Sequence, residues 1–266
     1  MKEFFLFFLM SVIASNGLAQ KLNDKFEYKV TYKLTYKLDS TDLEEPKSEY
    51  MILYTGENLS KFSSRAKTLE NPVVVRGNRG HTSRAALTQF HYELLKERTT
   101  GNMYYTLKIP KMDDRLYYPE AMDQFEWEIL PETKKIKDYE VQKATTAFAG
   151  RKYVAWFTPE VPIAEGPYKF NGLPGLILEI ADTGGHWVFE LFGLEKLSPK
   201  LKYNLNLNQF VKTDREQLEA LWYRYRRDPM GYAKNPNVKI SPENHKKYVE
   251  AFTKMLEKEN NPIELE

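Results

Sequence analysis

The chain has 266 residues, with 39 Lys plus Arg against 37 Asp plus Glu and no cysteine. A net charge of +2 is too small to concentrate a protein on nucleic acid or an anionic membrane by bulk electrostatics. The lack of cysteine removes disulfide scaffolds, thiolate zinc sites, iron–sulfur clusters and cysteine nucleophiles, while 18 Tyr and 15 Phe give apolar area for one large core, the opposite of a disordered composition.

Residues 1–19 read as a secretory signal peptide: Lys2 precedes a short apolar run at 4–13, and Gly17 and Ala19 stand at the small positions before a cleavage point. The run is shorter than the roughly 20 residues of a membrane span, so the expectation is export with cleavage after Ala19, to the periplasm or the extracellular space. Residues 20–266 follow as a single domain with no transmembrane span.

From 26 to 38 the apolar residues fall at every second position (Phe26, Tyr28, Val30, Tyr32, Leu34, Tyr36, Leu38), with lysines and threonines prominent between them. That period of two predicts a strand of roughly 43 Å, one face on a core and the other in water. Further strands are expected at 49–54, 73–76, 91–98, 104–109, 125–130, 139–149, 152–157, 176–181 and 186–192, with short Gly-, Pro-, Asn- or Asp-bearing links that favour antiparallel meanders. The stretch 65–84 carries Arg65, Lys67, Arg76, Arg79 and Arg84 against Glu70 and reads as an exposed loop, the alternative being a surface that meets an anionic ligand or lipid head group. Asp182-Thr183-Gly184-Gly185 joins two apolar strands as a hairpin turn with both faces covered. The period then changes: Thr213 and Glu216 suit a capping box before a helix ending at Asp228-Pro229, and a second helix starts at Ser241-Pro242 with His245, Tyr248, Phe252, Met255 and Leu256 on one face. The fold class expected is mainly β (α+β): one curved antiparallel sheet, half-barrel-like, with two C-terminal helices packed on one face and covering the hairpin.

Several ordered elements, 143–151, 155–163, 166–170 and Gly172-Leu173-Pro174-Gly175-Leu176-Ile177, make the chain resemble the GLPGLI family. The polar C-terminal Asn261-Pro262-Ile263-Glu264 resembles it too. The resemblance implies a secreted or periplasmic Bacteroidota protein without an established activity. Many members of that family place a cysteine just before the Lys-Ala-Thr element, whereas this chain has none and is apolar near there, at Val141, so no thiol role carries over.

Two readings of the motif stand side by side. In the first it is a rigid crossover: Pro174-Gly175 fills the centre of a type II turn, with positive φ at Gly175, and Pro159, Pro162 and Pro167 pre-order an extended path beside Gly166, Gly172 and Leu173. In the second the crossover is the lip of a pocket, with Trp156, Tyr168 and Phe170 as apolar contacts and Arg151 or Glu160 as an orienting charge. A third use, Glu160, Glu165 and Asp182 as paired acids, needs a spacing that sequence does not supply.

No catalytic residue, metal or cofactor is expected. His81, His91, His186 and His245 lack ligand spacing, no Gly-x-Ser-x-Gly elbow occurs, and Gly77-Asn78-Arg79-Gly80 lacks the phosphate-gripping Lys-Ser or Lys-Thr. The function expected is a non-enzymatic envelope protein that binds an apolar small molecule, or a partner protein, through the curved sheet and the crossover. The alternatives are an accessory subunit of an outer-membrane transporter and a hydrolase with an unrecognised carboxylate site.

Overall fold

A computed structural model describes residues 21–67, 88–110, 114–232 and 240–266. The expected leader, the strand at 73–76, the Gly77–Gly80 stretch, His81 and the cluster of Arg76, Arg79 and Arg84 lie outside the described residues.

The strands are β1 (Lys21–Tyr36), β2 (Lys47–Thr55), β3 (Leu59–Ser64), β4 (Tyr92–Glu97), β5 (Asn102–Lys108), β6 (Arg115–Ala121), β7 (Glu128–Ile136), β8 (Tyr139–Phe148), β9 (Arg151–Thr158), β10 (Leu176–Asp182), β11 (Trp187–Asn206) and β12 (Val211–Lys212). They form one open sheet in the order β12-β6-β5-β4-β3-β2-β1-β11-β10-β9-β8-β7. Every neighbouring pair is antiparallel except β12 and β6, so the sheet is mixed at that edge alone. Among the described residues three helices follow: α1 (Arg215–Arg227), α2 (Pro229–Tyr232) and α3 (Pro242–Glu257). The expected class, a mainly β chain with an unclosed sheet and C-terminal helices, is the one observed.

The sheet curls. Strands β3 and β11 are three places apart, about 14 Å in a flat sheet, yet the rings of Phe62 and Phe189 meet with centroids 6.2 Å apart. The concave side therefore holds the main core, joining Phe62 and Leu94 of one wall to Val141, Ala144, Tyr153 and Phe157 of the other.

The alternation in β1 builds this core, but not along its whole length. Val30, Tyr32, Leu34 and Tyr36 are buried there, while Lys33 is exposed. Phe26 instead stacks on Tyr54, with centroids 5.6 Å apart, in a second core with Leu22, Ile52 and Leu95. Ile52 and Tyr54 pair with Thr31 and Lys29, so this second core covers the face expected to meet water. The switch coincides with the register shift between Phe26 and Tyr28, where an irregularity re-aims the side chains.

At the C-terminus Asp214, not Thr213, caps α1, its carboxylate accepting from Gln217 N at 2.8 Å. Ser241 caps α3, accepting from Asn244 N. Helix α1 buries Leu218 and Tyr225 against Leu107, Ile109, Leu116 and Tyr118 of the β5–β6 end. The cover over the β10–β11 hairpin is not helical as expected; its apolar side chains share the main core with the 159–175 crossover. Among the described residues no helix is long and apolar enough to cross a membrane.

Candidate functional site

The crossover leaves β9 at the surface, where Pro159, Glu160 and Pro162 are exposed, and then dives into the concavity. Residues 165–171 are all buried, closed on themselves by a bridge between Glu165 and Asn171. Tyr168 and Phe170 are interior, with ring centroids 6.3 Å apart, and Leu173 packs with them. Pro167 is buried beside Gly166, where any Cβ would lie 2.7 Å from Ile177 Cδ1. Gly172 turns the chain at φ +93° beneath the Trp127 indole, which donates to Asn171 O at 2.8 Å.

Pro174-Gly175 does not form the expected type II turn. That turn needs φ near +80° at the glycine, whereas Gly175 has φ +158° and donates to Leu173 O at 2.8 Å, a three-residue turn around Pro174. Glycine is required on two counts: the positive φ, as expected, is one that other residues rarely adopt, and a Cβ here would stand 2.1 Å from Thr158 O at the end of β9.

Buried polar groups tie the crossover to distant strands. Glu165, fully buried, accepts from Lys96 Nζ, Arg98 Nη2 and Ser60 Oγ, each at 2.9 Å. Lys96 spends its other two protons on Gly166 O at 3.2 Å and Phe170 O at 2.8 Å, which satisfies the ammonium. Burial pulls the Lys96 pKa down and Glu165 opposes that shift. Nearby, Lys169 lies between Glu120 at 2.6 Å and Glu264 at 2.8 Å. Glu264 also takes the Tyr168 hydroxyl and, at 2.8 Å, Arg215 Nη1. Burial, then Glu264, pushes the Tyr168 phenol far up, so it acts as a neutral donor.

Arg151 anchors a third cluster. Its guanidinium donates to Asp182 Oδ2 at 3.1 Å and to Pro262 O and Asn261 Oδ1 of the C-terminal tail, while Asp182 Oδ1 caps His186 N and Trp187 N at 2.7 Å each. Tyr153 hydroxyl reaches Ile263 O at 3.0 Å. The tail that accompanies the motif in sequence is thus packed onto it in space.

The residues expected at a pocket lip are distributed differently. Tyr168 and Phe170 are sealed inside, Trp156 is half-buried with Lys134 Nζ 4.3 Å from its ring centroid, and Arg151 is committed to Asp182 and the tail. Glu160 accepts from Glu140 N at 2.9 Å at the surface. The three acids considered together, Glu160, Glu165 and Asp182, each sit in a separate set of partners. Lys96, Lys169 and Glu264 escape sequence reasoning, although a lysine following Leu94-Leu95 inside a strand is a signal that a buried partner exists. Among the described residues, no group of three or more His, Asp or Glu side chains is placed to hold a metal ion.

An open cavity of about 180 Å³ lies instead between β4, β5, α1 and the tail, walled by Phe90, Tyr92, Tyr105, Trp187, Trp222 and aliphatic Leu38, Leu107 and Ile263. Gln89, His91 and Glu259 are its polar members. The His91 ring lies 5.1 Å from that of Trp222; burial, then the charges of Lys67 and Arg226, lower its pKa to about 4. At neutral pH the pocket therefore presents a neutral imidazole and a nearly continuous aromatic wall.

Residues 149–179 match the model of a family described as a protein of unknown function, Porph_ging, in keeping with a Bacteroidota protein. In sequence, no curated protein is similar to this chain. In fold it is similar to PNGF-II, solved in space groups P21 and C2, with TM-scores of 0.53 and 0.54 and 15% identity in both. The matches cover 76% of this chain but 34% and 33% of those chains. The chain thus spans about a third of PNGF-II's length, and at that identity the likeness is one of fold.

Proposed function

We propose that this chain is an exported, non-enzymatic envelope protein of the GLPGLI kind, with its leader removed after Ala19, that binds one apolar group of a small molecule in the aromatic cavity beside α1. The wall of Phe90, Tyr92, Tyr105, Trp187 and Trp222 carries this reading. Its volume is below the several hundred Å³ of a typical whole-ligand site, which suits a single ring or short aliphatic group. The GLPGLI crossover has a scaffolding role here, because its aromatic side chains are consumed by the core. A hydrolytic role fits less well: Glu165, Asp182 and Glu264 are each engaged by a cation and further donors, whereas a general acid or base must reach substrate.

Indole, titrated while one-dimensional proton NMR follows its signals, tests the reading. Saturable binding is expected, weakened about tenfold or more by Trp222→Ala through loss of the ring contact and unchanged by Trp156→Ala. Equal affinity in Trp222→Ala, or no saturable binding to the parent protein, would overturn it.

A further inference from the structure

The opposite face of β4 and β5 carries a second, chemically different cavity. It has a volume of about 380 Å³ and is lined by Ala66, Lys67, Glu93, Thr106, Lys108, Arg115 and Phe210. Lys108 and Arg115 stand directly opposite each other across β5 and β6, an arrangement of like charges that destabilises a strand pair unless something offsets it. Arg115 donates to the neutral Gln209 Oε1 at 3.2 Å and its guanidinium lies 6.0 Å from the Phe210 ring centroid. Lys67 enters from the other side, its ammonium donating to the carbonyl of His91.

Among the described residues, Glu93 is the one carboxylate lining this cavity, and it is shared with Lys61 at 3.5 Å. Burial depresses the Lys67 pKa, and the charges of Lys61 and Lys108 add to the depression while Glu93 opposes it. Among the described residues, three cations around one open volume with a single shared acid leave a positive field that a bound anion would neutralise.

We propose that this cavity binds an oxyanion of the phosphate or sulfate type, held by Lys67, Lys108 and Arg115, with Phe210 as an apolar wall for the group that carries it. Arg115 supplies the planar fork suited to tetrahedral oxyanions, and the lysines supply point charges. The site is separate from the aromatic cavity and does not depend on the reading given for it.

Calorimetric titration of the full chain with inorganic phosphate tests the assignment, alongside co-sedimentation with phosphatidylglycerol vesicles. Saturable phosphate binding that falls about tenfold or more in Lys108→Gln/Arg115→Gln, but not in the exposed control Lys33→Gln, supports a soluble oxyanion. Binding to vesicles alone, lost in the same double variant, supports the site with a lipid headgroup as the source of the oxyanion. The outcome that overturns it is no saturable binding to either probe, or equal affinity in the double variant and the parent. Lys108 is exposed and Arg115 half-buried, and an unchanged circular dichroism spectrum establishes that the double variant is folded.

Discussion

The crossover at 159–175 and helix α3 are both additions to the sheet, and they are built on opposite terms. The crossover buries seven consecutive residues, 165–171, including a glutamate and a lysine that meet opposite charges and further partners. Helix α3 buries only Leu256, while Tyr248 and Met255 of its apolar face remain 49% and 45% exposed. An irregular, proline-rich segment is therefore the more deeply integrated of the two, and a regular amphipathic helix the less. Regularity satisfies the backbone locally, so a helix can stand at the periphery. A segment without a ladder satisfies part of its backbone in local turns, as at Phe170 N to Pro167 O and Gly172 N to Ala164 O, and takes further partners from the sheet, where Lys96 meets Gly166 O and Phe170 O.

That contrast is most directly broken at Lys96. Lys96→Met leaves Glu165 buried with Arg98 and Ser60, and the expected cost is about 3–5 kcal/mol, because an incompletely compensated buried charge is expensive. Adding Glu165→Gln should return part of it. Denaturant unfolding of the two variants measures both terms, and a single-variant loss below about 1 kcal/mol would mean that the clamp contributes little. Next in size is Gly175→Ala, expected to cost about 3 kcal/mol through collision with the Thr158 carbonyl. Valine at 175 should be no milder, since the first added carbon already clashes; thermal melts in which alanine behaves like glycine would refute the close approach.

A third effect, one that appears only as pH changes, lies on the helical side. The unfolded His91 titrates near 6.5 and the folded one at about 4, so in that interval the unfolded state binds more protons and stability rises with pH. This contribution is complete above about 6.5 and lost as pH falls to about 4. His91→Gln should flatten that part of the dependence, read as the difference between parent and variant melting temperatures at pH 7.5 and pH 4.5. A parallel dependence in the two proteins would remove His91 as its source.

Much of the sheet is legible wherever one face is apolar and the other is not, as in β1 beyond Tyr28, and the Asp182–Gly185 turn is legible from its residues. Strand β3 is not. Its sequence Leu-Ser-Lys-Phe-Ser-Ser is buried throughout, because Ser60 donates to Glu165 of the crossover and Lys61 meets Ser63 of its own strand and Glu93 of β4, and such burial leaves no alternation to read. Strand β6 hides behind Pro119, which is exposed. The expected strand at 125–130 starts only at Glu128, since Phe125 and Trp127 pack against the core from a loop. The site is less legible still. Lys96 and Glu165 are 69 residues apart, and the aromatic cavity draws on residues from 38 to 263, separations at which no local spacing carries information.

The C-terminal tail sets an order of events. Arg151 and Tyr153 meet carbonyls 111 and 110 residues downstream, and β1 pairs along its whole length with β11. Contacts of such sequence separation place the fold among slow, high-contact-order topologies. A nascent chain that has formed β8 and β9 still holds a guanidinium and a phenol whose acceptors have not been synthesised. Docking of residues 261–263 onto β9 therefore satisfies groups that the sheet by itself leaves open.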